Sequence, residues 1–403
     1  MNQKAYAIVT AAYWGFTLTD GALRMLVLLY FHGQGYGPVT LAFLFLLYEF
    51  CGILTNLLGG WWASRTGLKR TLTGGLLLQV VALSTLAFVN LDWIPWLVIA
   101  YIMLTQALSG VAKDLTKMSA KSAVKVLVSK STSSEQQERG LMKWVAVLTG
   151  SKNALKGVGF FLGGFLLTTF GFQGTLWVMA GALFLVLLLA HFCIQGDLGK
   201  TKKKVKFTEL FSKSPEINRL SAARLFLFAA RDVWFVVGLP VFLKAQLEWS
   251  FNQVGAFMAA WVIGYGIVQA SAPKFVKKSG ATQASKAAFV WGLILTLIAV
   301  TIALLVQLDQ FVLYAVLGGL LIYGIVFAIN SALHSYLILA FTDDDQVSLN
   351  VGFYYMANAC GRLLGTLASG LSYYYGGLQA CLWVSAAMLA VTSYITIRLP
   401  RNS

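Results

Sequence analysis

The chain has 403 residues, 58% of them hydrophobic and only 11% charged, with 31 Lys and Arg against 15 Asp and Glu for a formal net charge of +16. Soluble globular domains carry about 25% charged residues, so this composition excludes a soluble enzyme and indicates a chain whose solvent is lipid. The basic excess then becomes a question of where Lys and Arg fall along the apolar runs.

A helix needs roughly 20 apolar residues to cross the hydrocarbon. Twelve such runs follow one another, near 6–31, 38–63, 71–91, 94–118, 142–169, 172–195, 219–244, 251–273, 284–306, 310–339, 346–375 and 377–398. They are continuous, whereas barrel strands alternate in segments of about ten residues. The expected fold class is therefore an all-α membrane protein of twelve transmembrane helices. The start, "MNQKAY", leads straight into a full-length span without a small-residue cleavage site, so no cleavable signal is expected.

The first span carries Asp20 and Arg24, four residues apart in the favourable order for a helical ion pair. Glu49 stands in the middle of the second, and the loop after it, "GGWWASRTGLKR", contains Gly60, Arg65, Gly67, Lys69 and Arg70. The fourth span brings Lys113, Asp114 and Lys117 into its inner third, where Asp114 can reach Lys117. Its basic stripe continues through Lys121 and Lys125, which are expected to be ordinary anchors.

Lys152 and Lys156 lie near the middle of the fifth span, on one face of the helix as i and i+4 must be. Gly159 and Gly163 share that face and permit close helix packing. A polar basic stretch at 196–218, containing "GKTKKKVKF", separates six spans from six. The seventh span then carries Arg224, Arg231 and Asp232, and the eleventh Arg362. A cation at mid-bilayer costs at least about 2.5–3.5 kcal/mol and normally faces a partner or a wet cavity. Lys152, Lys156 and Arg362 have no acidic residue nearby in their own helices, so they are expected to await an anion from elsewhere.

The basic residues of the connections fall on one side. Arg65, Lys69 and Arg70, then Lys125, Lys130 and Arg139, then the 199–207 run, then Lys274, Lys277, Lys278 and Lys286 alternate with connections in which Lys244 is the one exception to an absence of positive charge. The positive-inside rule then puts both termini in the cytoplasm. These runs serve as anchors, and no nucleic-acid partner is expected. Cys51, Cys193, Cys360 and Cys381 are isolated within spans and are expected to be small core residues. His191 and His334 are not paired by a usable spacing, so neither a metal nor any other cofactor is expected. Nothing resembles a nucleophile with its base, and the chain is not expected to be an enzyme.

The two halves repeat. Residues from Lys156 and from Arg362 align without a gap, matching Gly159 with Gly365, Gly164 with Gly370, Gly171 with Gly377, Gln173 with Gln379 and Leu176-Trp177-Val178 with Leu382-Trp383-Val384. Asp20 precedes Gly67 by 47 residues, and Asp232 precedes Gly280 by 48. The domains expected are 1–195, a cytoplasmic linker 196–218, and 219–403. Duplicated six-helix halves resemble the major facilitator fold, whose site lies near the midplane between halves. The 59–70 loop resembles the gating signature of that superfamily, except that Ser64 and Leu68 replace its usual Asp and Arg.

The segments "YWGFTLTDGALRMLVLLYF", "ALSGVAKDLTKMSAKSAVK" and "TGSKNALKGVGFFLGG" resemble those of the bacterial organoarsenical efflux permeases, along essentially the whole chain. That resemblance implies export of 1-arseno-3-phosphoglycerate, the arsenate ester made by glyceraldehyde-3-phosphate dehydrogenase, by a monomer in the bacterial inner membrane. Arg24, Lys113, Lys152, Lys156, Arg231 and Arg362 are the candidate anion-binding residues. Asp20, Asp114, Asp232 and Glu49 are candidate ion-pair or coupling residues. An organophosphate/phosphate antiporter stands as the alternative, and a basic interior disfavours a multidrug proton antiporter.

Overall fold

The computed structural model describes residues 3–66, 68–128, 134–194, 214–271, 281–341 and 347–399. Gly67 lies outside them, as do the side chains of Arg65, Lys121, Lys125 and Arg139, and of Gly60 only the helical backbone is described. Lys130, the basic run 199–207, Lys274, Lys277, Lys278 and Gly280 lie outside as well. The described secondary structure is helical throughout, as expected for lipid, where every backbone group must be satisfied within its own segment.

The helices are α1 (Gln3–Gly33), α2 (Pro38–Thr66), α3 (Leu68–Leu86), α4 (Pro95–Val128), α5 (Ser134–Cys193), α6 (Pro215–Phe235), α7 (Gly238–Ala245), α8 (Phe251–Ser271), α9 (Ala281–Gln307), α10 (Val312–Ala340) and α11 (Val347–Thr396). Eight described stretches are long and apolar enough to cross a membrane. Two of these, of 43 and 47 residues, hold about twice the roughly 20 residues that one crossing needs.

Both long helices break at a glycine. The sequence suggests a short loop between the fifth and sixth spans, and the helical backbone of α5 is interrupted there by Gly171 at φ 67° and ψ −177°. In α11 the break falls at Gly377, at φ 60° and ψ −157°. This backbone region is essentially restricted to glycine. The two are the glycines that the repeat superposes, so one local geometry occurs twice. The seventh apolar run is also interrupted, between α6 and α7. There the freed N–H groups of Val237 and Gly238 donate to Ser369 Oγ at 3.2 and 3.1 Å.

The chain divides into two compact units. Unit 1 comprises Met1–Tyr30, Phe50–Val205 and Phe251–Ile263; unit 2 comprises Phe31–Glu49, Lys206–Ser250 and Gly264–Ser403. Each therefore takes in a short piece of helix from beyond the central polar stretch. Glycine explains how these pieces pack. In unit 1 a Cβ at Gly159 would stand 2.6 Å from the Leu18 carbonyl oxygen, and one at Gly164 would stand 2.5 Å from that of Phe251. In unit 2 the repeat-related Gly365 and Gly370 meet the carbonyls of Ala229 and Pro38 at 2.7 and 2.6 Å. The backbones touch because no side chain intervenes. The unit 2 core around Leu220, Ala288, Leu333, Leu337 and Tyr354 joins α6, α9, α10 and α11.

Gly171→Ala and Gly377→Ala should each lose about 1–3 kcal/mol of stability, the cost of a side chain in that backbone region. Gly181→Ala, whose Cβ would meet nothing within 4 Å, should lose none. Melting of the purified variants in detergent measures all three.

Candidate functional site

In unit 2, four charged side chains alternate in sign. Arg362 Nη2 lies 2.5 Å from Glu49 Oε1, and Arg362 Nε lies 3.7 Å from Asp232 Oδ2. Arg231 meets the other oxygen of Asp232 through Nε at 2.7 Å and Nη2 at 2.6 Å. Both carboxylates have side chains only 1% exposed, against 17% for Arg362 and 15% for Arg231. The close approach at Gly365 creates this chain of charges: its Cβ would lie 2.7 Å from that of Asp232, and Arg362 projects from α11 less than one turn earlier. The Arg231 guanidinium also lies over the rings of Phe228 at 4.7 Å and Phe327 at 5.4 Å, contacts that favour a partly desolvated cation.

Unit 1 gathers its charges around Asp114 on α4, which is fully buried. Lys117 Nζ stands 3.2 Å from Oδ1, Lys113 Nζ stands 3.7 Å from Oδ2, and Thr55 Oγ1 donates to Oδ2 at 3.3 Å. Lys117 also donates to Asn56 Oδ1 at 3.0 Å. Gly52 on α2 makes room, since a Cβ there would stand 3.2 Å from Asp114 Oδ2 and 3.4 Å from Lys113 Nζ. Two lysines thus meet one carboxylate.

Asp20 is buried on α1 with Arg24 half-buried one turn later. Lys152 and Lys156 are half-buried on α5, with Lys156 Nζ 5.7 Å from the centre of the Phe160 ring. Beside Lys152, Ser151 Oγ accepts from Trp14 Nε1 at 2.9 Å. Of the gating loop, Lys69 is half-buried and Arg70 exposed.

Two expectations need correction. Arg362 is not a lone cation: Glu49 and Asp232 neutralise it. Glu49 lies 313 positions away in sequence, so no spacing along one helix could reveal the pair. The cysteines are not all core residues either. Cys381 is buried, Cys51 and Cys360 are half-buried, and Cys193 is exposed, because the end of α5 turns an apolar face outward, with Phe192 73% and Leu189 62% exposed. Among the described residues no group of three His, Cys, Asp or Glu could hold a metal ion. Sequence spacing also missed the neutral partners of the buried charges: Thr55, Asn56, Ser331 and Asn358. For Asn358 a signal existed, since the repeat superposes it on Lys152.

The description Major Facilitator Superfamily matches residues 6–239 and again 220–402. Among solved structures, the chain is similar to a bacterial homologue of the iron transporter ferroportin in two states. The inward-facing one has 16% identity, covers 99% of both chains and has a TM-score of 0.69. The outward-facing one has 15% identity, covers 97% of this chain and 99% of that one, and has a TM-score of 0.67. A structure described as a bacterial metal transporter aligns at 15% identity over 98% of each chain, with a TM-score of 0.66. At these identities the likeness is one of fold. No curated protein matches the sequence.

If Glu49 and Arg362 form one energetic unit, Glu49→Gln and Arg362→Gln should destabilise separately and the double variant should lose less than their sum. The expected coupling is about 0.5–3 kcal/mol. Chemical denaturation of the four proteins in micelles measures it; strict additivity would contradict the pairing.

Proposed function

Because the chain belongs to the major facilitator superfamily, we propose that it is a secondary transporter that exports a small organic oxyanion from the cytoplasm, and that the cargo is the arsenate ester 1-arseno-3-phosphoglycerate. The observation that carries this reading is the state of the buried carboxylates. Asp114, Asp232 and Glu49 are each held by a cation of the protein, and Asp114 is held by two. None of the three is left to ligate a metal ion, so the cargo named for the structural neighbours is not carried over to this chain. The charge left over is positive, which suits an anion.

In this reading the α5 and α11 helices each cross the bilayer twice, dividing at Gly171 and Gly377. Twelve spans then form halves at 1–195 and 219–403, with both termini in the cytoplasm of a bacterial cell. The two halves expose the site to either side by turns. Arg24, Lys113, Lys152, Lys156, Arg231 and Arg362 hold the phosphate and arsenate ends of the ester. Arginine supplies planar forks for bidentate oxyanion contacts and lysine compact point charges. Glu49 and Asp232 neutralise Arg362 and Arg231 while the site is empty, and the cargo's oxygens replace them. The supply of cargo links the transporter to glyceraldehyde-3-phosphate dehydrogenase.

Everted vesicles should accumulate arsenic only when arsenate, the dehydrogenase and its substrate are all present. Accumulation without the dehydrogenase would refute the ester as cargo, and efflux of preloaded inorganic phosphate matching uptake would favour the organophosphate/phosphate antiporter. Lys156→Ala removes a charge-assisted contact of about 1.5–3 kcal/mol and should slow uptake about tenfold or more at unchanged membrane abundance. Normal uptake by that variant would remove Lys156 from the site.

A further inference from the structure

Arg224 stands apart from the charged pairs. It is 4% exposed in unit 2, and its guanidinium lies 4.0 Å from the centre of the Phe228 ring and 5.2 Å from that of Tyr354. Its hydrogen bonds all go to neutral atoms: Nε donates to Asn358 Oδ1 at 3.1 Å, and Nη1 donates to both the carbonyl oxygen and Oγ of Ser331 at 3.0 Å. Among the described residues no carboxylate pairs with it, and Nη2 has no acceptor. A guanidinium does not lose its proton inside a protein, so this charge is permanent.

Beside it on α10, Asn330 and His334 are fully buried and four residues apart, hence on one face. None of the four polar atoms of these two side chains has a hydrogen-bond partner among the described residues. Arg224 donates to Ser331, which lies between Asn330 and His334 on α10. Ser393 Oγ is likewise without a partner. It faces Asn330 across Gly292, where a Cβ would stand 2.8 Å from Ser393 Oγ and 3.5 Å from Asn330 Nδ2. Buried polar groups in folded proteins are nearly always satisfied, and these atoms offer donors and acceptors to a small guest. Water would serve Asn330 and His334 but would leave Arg224 uncompensated.

We propose that Arg224, Asn330 and His334 form a buried site for one halide-sized inorganic anion inside unit 2, walled by α6, α9 and α10. A single permanent cation matches a monoanion. The free donors are few: Arg224 Nη2, the Asn330 amide and one imidazole N–H. A phosphate dianion would demand more donors and a second cation. None of its three residues is among those assigned to the cargo, although the guanidiniums of Arg224 and Arg231 both lie over the Phe228 ring.

The test is thermal unfolding of the purified full chain in detergent, with sodium gluconate exchanged for sodium chloride, bromide or phosphate at constant ionic strength. Chloride and bromide should raise the melting temperature saturably, and phosphate should not. Arg224→Gln should abolish the halide shift. Asn330→Ala and His334→Ala should each raise the half-saturating chloride concentration about tenfold, while Lys286→Gln, at an exposed position, should leave it unchanged. Equal melting in gluconate and chloride, a shift by phosphate alone, or a full halide shift in Arg224→Gln would each overturn the site. If Arg224→Gln fails to fold, wild-type chloride affinity in both alanine variants would overturn it.

Discussion

Charge neutralisation in a medium that cannot solvate ions governs this molecule. Each buried carboxylate whose partners are resolved has been brought against a cation, and the arrangements differ in what they leave over. The Glu49, Arg362, Asp232 and Arg231 series alternates in sign and cancels. In the Lys113, Asp114 and Lys117 cluster two lysines meet one carboxylate. Arg224 is stabilised by amide, hydroxyl and carbonyl oxygens and by aromatic faces, none of which removes its charge. Removing one member of a buried pair strands the other, so these residues act as sets.

Bringing such charges together requires helices to approach more closely than ordinary side chains allow. Gly159, Gly164, Gly365 and Gly370 supply that approach at repeat-related places, each against a backbone carbonyl of a neighbouring helix. Packing and electrostatics are therefore coupled. Arg362 reaches Asp232 because Gly365 admits α6, and Gly52 leaves α2 room beside Lys113 and Asp114, which adjoin on α4. A methyl group at any of these glycines would separate helices and charges together.

The structural neighbours described as iron or metal transporters share the scaffold at 15–16% identity. A scaffold hosts many cargoes, and chemistry resides in the side chains it presents. Here those side chains are cations in excess, where a site for a metal ion needs free carboxylates, imidazoles or thiolates.

Helical class, membrane residence and the internal repeat were legible from residue order because each depends on local chemistry: runs of apolar side chains and glycines recurring at a constant offset. Asp114 with Lys117, and Asp232 with Arg231, were legible for the same reason, being neighbours on one helix. Tertiary packing alone decided that Glu49 belongs to Arg362, that Cys193 faces outward and that Arg224 is held by neutral oxygens. Periodicity reports which face of a helix is apolar but not which helix that face meets, and a buried charge takes its partner from whichever helix comes close enough.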